Sequence, residues 1–381
     1  MIKEEFEEFI QALIIGKTKI SKLKGFMGFD GFIDEIISVV DKRNGAHDYS
    51  PLTTISQFAE KIQNAAGKSA NIELVTNQAK IGGNGPIMGL SLASLGLDLT
   101  YTGALGDGTI HPVFNKLVEK CTDVFTLGEF GHTDALEFND GKIMLGKLES
   151  LKDVNWANIN NIIGADKVQD YIKNSDFFAF VNWTMLPSMS EIWQEFNKSF
   201  SAQRSSRDFP VFIDLADFEK RTDKDCLEAI EILREMNQYA KVTLGLNLRE
   251  GQQIARIMKY DVAENDDVES VKKLAAFIQQ EMQLETVCVH PRNFAVSADA
   301  NGTYVAVGPY TDTPKISTGA GDHFNAGYFT GVLIGLSQSQ ALNLGVLNSG
   351  YYVRTAISGD LDNLHNFSEL CQEGKAEDVC L

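Results

Sequence analysis

Residues 317–327, STGAGDHFNAG, set three small residues, Gly319, Ala320 and Gly321, directly before an acid, Asp322, where an apolar-faced helix begins. Phe324, Tyr328, Val332 and Leu336 recur at one-turn spacing and predict that helix. Gly327, Gly331 and Gly335 recur in the same way and give it a second face that can pack closely. Consecutive small residues let the backbone approach a ligand. The free N–H groups and dipole of a helix N-terminus favour an anion. Two readings of Asp322 stand: a carboxylate that caps the first turn, or a base that accepts a proton from an attacking hydroxyl while the N–H groups of 319–321 hold developing negative charge. The second division of labour suits phosphoryl transfer.

These residues must be positioned by the elements around them. GFMGFDGFI (25–33), LTYTGAL (99–105), FFAFVNW (177–183), PVFIDLA (210–216), KVTLGLN (241–247) and TVCVHP (286–291) read as buried strands. Helical patterns such as ISQFAEKIQNAA, GPIMGLSLASLG, SMSEIWQEFNKSF, CLEAIEILREMNQYA and SVKKLAAFIQQEM separate them. That alternation predicts an α/β fold with a mainly parallel sheet covered on both faces. One segment breaks the rhythm. HTDALEFNDGKIMLGKLE (132–149) has two extended runs around Asn139-Asp140-Gly141 and predicts a hairpin. It is either part of a separate small sheet acting as a lid or a surface decoration.

Composition narrows the classes. The chain has 381 residues and a net charge of −18, which disfavours non-specific nucleic-acid or anionic-membrane binding. Five scattered cysteines, Cys121, Cys226, Cys288, Cys371 and Cys380, form no CxxC pair. They predict neither a disulfide framework nor a zinc site, and fit a reducing cytoplasm. The start, MIKEEFEEFIQALI, reads as an acidic amphipathic helix rather than a signal peptide. No apolar run reaches about 18 residues, so no membrane span is expected. AAGKSAN (65–71) is no phosphate-binding P-loop, since Ile62 stands where its first glycine belongs. GLSLA (89–93) lacks the last glycine of a nucleophile elbow. The six histidines show no metal-ligand spacing.

Two motifs together carry a resemblance. STGAGDHFNAG resembles the C-terminal signature of the ribokinase-like (PfkB) carbohydrate kinases, and IGGNGPIMGLSLASLG (81–96) resembles their N-terminal signature, in the same order. TGALGDG (102–108), LGLNLREGQQIA (244–255), VFIDLAD (211–217) and GFDGFIDEII (28–37) add further likeness, so that residues 24–360 are covered. The resemblance implies a ribokinase-like fold with a small β-sheet lid and transfer of the ATP γ-phosphate to a hydroxyl of a small sugar. It implies Asp322 as base and Gly319, Ala320 and Gly321 as the anion hole. Thr318, Asn247 and Glu250 would serve the nucleotide, the last two also organising Mg2+ through water. Asp34, with Gly82, Gly83 and Asn84, would bind the substrate hydroxyls, and Asp30 competes for that role. Beside these stand plainer readings. Asn247 and Glu250 have the spacing of a helix cap and its third residue, Asp34 reads equally as a surface acid, Gly82-Gly83 as a turn, and His323 as a structural histidine.

The chain departs from the family pattern at Ile87 and Ala216, where asparagine is usual, and at Ile316, where an acid that helps hold a monovalent cation is usual. Potassium activation is therefore not expected, and substrate preference is expected to be atypical. The expected organisation is an N-terminal helical extension (1–23), a kinase domain (24–360) with lid segments near 31–50, 70–80 and 132–149, and a C-terminal tail (361–381) to which no role is assigned. The family often dimerises through its lids, which implies a possible homodimer. Alternatives are a nucleoside kinase, an ADP-dependent donor, raised by LEF-x-x-GK in the lid segment, and a non-catalytic sugar- or nucleotide-binding protein.

Overall fold

The computed structural model describes residues 3–261 and 265–379. Fourteen strands are found among them: β1 (Lys24–Phe29), β2 (Phe32–Arg43), β3 (Tyr49–Pro51), β4 (Leu74–Gly82), β5 (Asp98–Gly103), β6 (Asp123–Thr126) and β7 (Gly131–Phe138). They continue as β8 (Gly141–Lys147), β9 (Phe177–Phe180), β10 (Pro210–Asp214), β11 (Lys241–Leu246), β12 (Thr286–Val289), β13 (Phe294–Asp299) and β14 (Gly302–Val307). A nine-stranded sheet runs β14-β13-β12-β11-β10-β9-β1-β5-β6. From β12 to β6 every pairing is parallel; only β13 and β14 are antiparallel.

Side-chain alternation along these strands builds two cores. Phe178 and Phe180 of β9 face one side with Phe26 and Phe29 of β1 and Val211 and Ile213 of β10. Phe177 and Ala179 face the other with Met27 and Phe212. A strand buried on both faces has to be apolar at every position, which is why these segments read as continuous hydrophobic runs. The helices Met189–Gln203, Asp223–Tyr239 and Val268–Met282 cover the first side. The helices Asn84–Ser94, Ala320–Ile334 and Gln338–Thr355 cover the second.

The segment 25–33 is not one strand. It breaks at Asp30-Gly31, where a Cβ on Gly31 would lie 2.0 Å from the Ala104 carbonyl oxygen. The chain leaves the large sheet there and enters β2, the centre of a second sheet. β2 pairs antiparallel with β4 and parallel with β7, β7 pairs with β8, and β3 joins the far end of β2. The hairpin around Asn139-Asp140-Gly141 is thus part of a real small sheet, with β2 and β4 supplied by the other two expected segments. Ile37, Val39, Leu52, Phe58, Leu136 and Phe138 form its own small core beneath the helix Ile55–Asn64.

Both ends of the described chain pack on this body. Phe9 and Leu13 of the helix Lys3–Ile20 are buried, as are Leu364 and Phe367 of the helix Leu361–Gln372, so residues 361–372 are a packed helix and not a loose tail. No helix among the described residues is long and apolar enough to cross a membrane.

Candidate active site

The glycine turn begins with Gly319, whose φ of 89° is left-handed backbone that suits glycine. Its missing side chain also matters, since a Cβ would lie 3.1 Å from both Ile87 and the Tyr352 hydroxyl. Ile87 therefore sits under the turn, where the family's usual asparagine is replaced. The three carbonyls of the turn are held from behind. The Tyr352 hydroxyl donates to Thr318 O (3.1 Å), His323 Nδ1 faces Gly319 O (2.8 Å), and the Ser349 hydroxyl donates to Ala320 O (2.9 Å). Facing a carbonyl, Nδ1 must carry the proton, which leaves Nε2 to accept from the Ser358 hydroxyl (2.9 Å). The ring stacks on Tyr352 at 3.5 Å between centroids, and burial pushes its pKa down to about 4. His323 is thus a satisfied, neutral, structural histidine.

One expectation is corrected here. The N–H of Ala320 turns back to Ser317 O (3.2 Å) and is not free for an anion. Among the described residues no acceptor meets the N–H groups of Gly319, Gly321 and Asp322, so the open donors extend one residue past the Gly-Ala-Gly tripeptide.

Asp322 lies in the first turn, buried, with Oδ1 accepting from Asn84 Nδ2 (3.0 Å). Asn84 opens the helix Asn84–Ser94 directly after the lid strand β4, so the two signatures meet in space. Asp214, at the end of β10, accepts from the Ala216 N–H (2.8 Å) and from Asn325 Nδ2 (2.8 Å), one turn below Asp322. Ala216 adopts a left-handed φ of 58°, a conformation asparagine tolerates better than alanine. Asn247 and Glu250 form a reciprocal capping box, with Asn247 Oδ1 accepting from the Glu250 N–H (2.9 Å) and Glu250 Oε2 from the Asn247 N–H (2.8 Å). The plainer reading of that pair is therefore true, yet it does not exhaust the pair: Glu250 is buried beside Asp214.

Burial and mutual repulsion act together on these acids. Desolvation, then Asp214, pushes Glu250 up to about 8. Desolvation raises Asp214 to about 6 and Asp30 to about 7, and Asp322 is raised well above the usual carboxylate range by burial and then by Asp214. No lysine or arginine contributes to any of these four shifts. A group of buried carboxylates without a cation is a place where a positive charge would be stabilised.

Asp30 and Asp34, which compete in the sequence, separate in space. Asp30 is fully buried, its oxygens taken by the Gly85 N–H (2.8 Å) and Asn182 Nδ2 (2.6 Å). A Cβ on Gly83 or Gly85 would lie 2.6 or 2.2 Å from those oxygens, so the glycines make its cradle. Asp30 supports the turn from beneath and has no free oxygen edge for a substrate. Asp34, on β2, sits over Gly82, where a Cβ would come within 2.7 Å of its carboxyl carbon. Burial raises its pKa, opposed by Thr133, Lys80 and His132.

On the opposite side of the glycine turn lies a cavity of 670 Å³. Its lining includes Asn247, His290, Pro309, Ser317, Gly321 and Ser349. Desolvation pushes His290 down to about 4, and it presents a neutral ring beside Phe324. The Thr318 side chain is exposed beside this cavity. A larger, open depression of 1020 Å³ lies along β6, and none of the grouped carboxylates reaches it. Sequence reading missed Asn182, Asn325 and His290. Only the Asn325 position, one turn after Asp322, carried a signal, since a polar residue on the buried face of an apolar helix needs a partner.

Likenesses to known proteins bear on this geometry. A family model described as prokaryotic ketohexokinase matches residues 18–370. A ketohexokinase of Haloferax volcanii is 27% identical over 345 residues, spanning 90% of this chain and 89% of that protein. The structure of Arabidopsis thaliana ribokinase complexed with ribose and ATP is similar with a TM-score of 0.63 at 14% identity, covering 91% of this chain and 98% of that one. Phosphofructokinase-2 from Escherichia coli in complex with potassium gives 0.62 at 12% identity over 92% and 99%. The structural likenesses establish the ribokinase-like fold.

Proposed function

The chain belongs to the prokaryotic ketohexokinase family and is a carbohydrate kinase, and on that premise we propose that it transfers the γ-phosphate of ATP to a hydroxyl of a ketohexose with Asp322 as the base. The observation that carries this reading is the position of Asp322: buried, behind the open N–H groups of the glycine turn, and tied by Asn84 to the end of a lid strand.

The sugar lies between the lid and the glycine turn. Asp34 and Asn84 offer a carboxylate and an amide to adjacent hydroxyls, while Gly82 and Gly83 let the ring approach the backbone. Asp322 Oδ2 accepts the proton of the attacking hydroxyl as its oxygen bonds to the γ-phosphorus and the bond from that phosphorus to the bridging oxygen breaks, releasing ADP. Once ionised, this carboxylate is a stronger proton acceptor than a solvated aspartate, because burial raises its pKa. The N–H groups of Gly321 and Asp322 hold the charge that grows on the transferred group. ATP occupies the 670 Å³ cavity with its phosphates toward the turn and the Thr318 hydroxyl beside them. The residues present fit a divalent cation, because Glu250 retains one oxygen outside its capping box and the grouped carboxylates lack any cation. Magnesium bound with the nucleotide would supply that charge, and Asn247 and Glu250 would hold it. Lid closure excludes water as a competing acceptor. The four cysteines of the described chain are free, in keeping with a cytoplasmic protein.

The test is a coupled ADP-release assay with Mg-ATP against ketohexoses, aldohexoses and nucleosides, with ADP tried as a second donor by following AMP and the phosphorylated product. Asp322→Asn is expected to lower kcat by about 10²–10⁴-fold with nucleotide affinity nearly unchanged. A mutant that keeps most of its rate would remove Asp322 from the mechanism. Turnover of nucleosides alone would replace the acceptor class.

A further inference from the structure

Arg354 closes the last turn of the helix Gln338–Thr355, and its side chain is only 4% exposed. Every nitrogen of its guanidinium is engaged. Nη1 donates to Pro309 O (2.8 Å) and Gly350 O (3.0 Å). Nη2 donates to Tyr310 O (2.9 Å) and Glu377 Oε1 (2.6 Å), and Nε to the same Glu377 oxygen (3.1 Å). Glu377 belongs to the short turn Ala376–Asp378 near the end of the described chain. Its other oxygen accepts from the Thr311 hydroxyl (3.3 Å). One carboxylate thus spans the buried arginine and the loop that the arginine holds.

That loop is the wall of the 670 Å³ cavity: Pro309, Tyr310 and Thr311 line it, opposite Asn247 and His290. The same stretch continues to the glycine turn. The Lys315 N–H donates to Val353 O (2.8 Å), one residue before Arg354, and Ser317 follows two residues later. Gly350 lets the helix and loop touch, since a Cβ there would lie 2.5 Å from Pro309 Cγ. The loop is therefore fastened from behind by Arg354 and Glu377, neither of which lines the cavity.

We propose that the C-terminal segment is a working part of the nucleotide site, with Arg354 and Glu377 as positioning residues that hold loop 309–311 in the shape ATP requires. The inference rests on the reading that this cavity takes ATP. A buried guanidinium shared between two carbonyls of one loop and a carboxylate is a preorganising device: without it the loop is ordered only at the expense of binding free energy. A merely structural staple would hold the C-terminal segment to the body and leave substrate affinities alone.

The experiment uses the full chain with Glu377→Gln, Thr311→Val and Arg354→Lys, varying ATP and ketohexose in turn, with calorimetry of ATP binding alongside. Neither Glu377 nor Thr311 is buried, so those two variants keep the fold accessible to test. Glu377→Gln is expected to raise the KM for ATP about threefold to tenfold and leave the KM for the sugar unmoved. Arg354→Lys keeps the charge but loses the fork, and is expected to raise it further. Unaltered ATP affinity in folded Glu377→Gln and Thr311→Val overturns the inference, as does a parallel rise in both KM values. Failure of the unaltered protein to bind ATP at all would overturn the nucleotide reading and this inference together.

Discussion

Glu250 uses one oxygen to cap its helix and leaves the other beside Asp214, so its charge costs the fold something its hydrogen bond does not recover. Its pKa rises from 4.5 in a solvated chain to about 8 in the folded one. The folded state therefore holds this proton more tightly, and the stability it lends is full below about pH 4.5 and lost as pH rises through about 8. Asp30 and Asp214 act with the same sign. His323 and His290 act with the opposite sign, but only as pH falls from 6.5 toward about 4. Above about pH 7 the histidines no longer change charge and Asp214 and Asp30 are largely past their own titrations, which leaves Glu250, with Asp322, to set the slope up to about pH 9. The prediction is that the metal-free protein loses thermal stability across that range. Glu250→Gln, which keeps an oxygen for the Asn247 N–H, is expected to flatten the slope and raise the melting temperature at the alkaline end by about 1–3 °C. The same variant is expected to gain less from added magnesium and ATP than the unaltered protein. A slope unchanged by the substitution would show that Glu250 carries no such strain. At this scale the sequence was informative where chemistry is local. Asn247 and Glu250, three residues apart, announce their capping box, and Gly319 to Asp322 announce a turn before a helix. Asn325 signalled only that it needs a partner; that the partner is Asp214, and that Asn182 holds Asp30, was invisible, because each pair joins residues brought together only by the fold. The loss of the Ala320 N–H to Ser317 depends on the turn's dihedral angles, which residue types alone do not determine.

The element that places Asp322 is a helix packed hard against its neighbour. A Cβ on Gly327 would lie 2.7 Å from Leu344 O, 2.8 Å from Asn348 Cβ and 3.0 Å from Gly345 Cα, all on the helix Gln338–Thr355. Asn348 in turn donates to His323 O (2.6 Å) and Ser91 Oγ (2.9 Å), joining three helices under the active site. Alanine normally favours a helix by about 1 kcal/mol over glycine. Here the neighbour is backbone and cannot move aside cheaply, and overpacking costs about 1–3 kcal/mol. Gly327→Ala is therefore expected to destabilise the protein, read as a lower urea midpoint, and to lower kcat because the glycine turn rides on the displaced helix. A neutral or stabilising result would mean the two helices separate freely. The glycine spacing made this close face legible before its partner was known. Strand alternation likewise foretold the parallel sheet, and Asn139-Asp140-Gly141 the hairpin. The break of 25–33 at Asp30-Gly31 was not legible, since apolar residues continue straight through it and only the Ala104 carbonyl demands the glycine. The antiparallel pair β13 and β14 was passed over, and residues 361–372 were read as tail although Leu364 and Phe367 sit in the core.

The whole molecule leaves one sheet incompletely covered. Along the first half of β2 the lid runs β4-β2-β7-β8, so β4 and β8 are its edges. Leu74 on β4 is 44% exposed, and Met144 and Leu145 on β8 are 53% and 45% exposed. Unpaired edges are usually guarded by charge. On β8, however, Lys142 is paired with Glu137 (2.7 Å) and Lys147 with Asp134 (2.8 Å), both within the same lid, so the guard is largely neutralised. An edge with exposed apolar residues and internally paired lysines fits a second copy of itself, the arrangement anticipated from the family resemblance. Opposing it is the net charge of −18, which makes two copies repel over a distance that salt shortens. The two effects give a prediction with a sign. The protein is expected to sediment as a dimer whose dissociation constant falls as sodium chloride rises from about 0.02 to 0.3 M, because screening weakens the repulsion without touching the apolar contact. Met144→Lys combined with Leu145→Glu adds no net charge and removes the apolar edge. It is expected to give a monomer at every salt concentration with an unchanged melting temperature at low protein concentration. A monomer in the unaltered protein at all concentrations, or a dimer indifferent to the double substitution, would exclude β8 as the contact. Where the dimer forms, each lid gains a rigid partner beside the strands that carry Asp34 and lead into Asn84, so the double variant is expected to raise the KM for the sugar while leaving the KM for ATP in place.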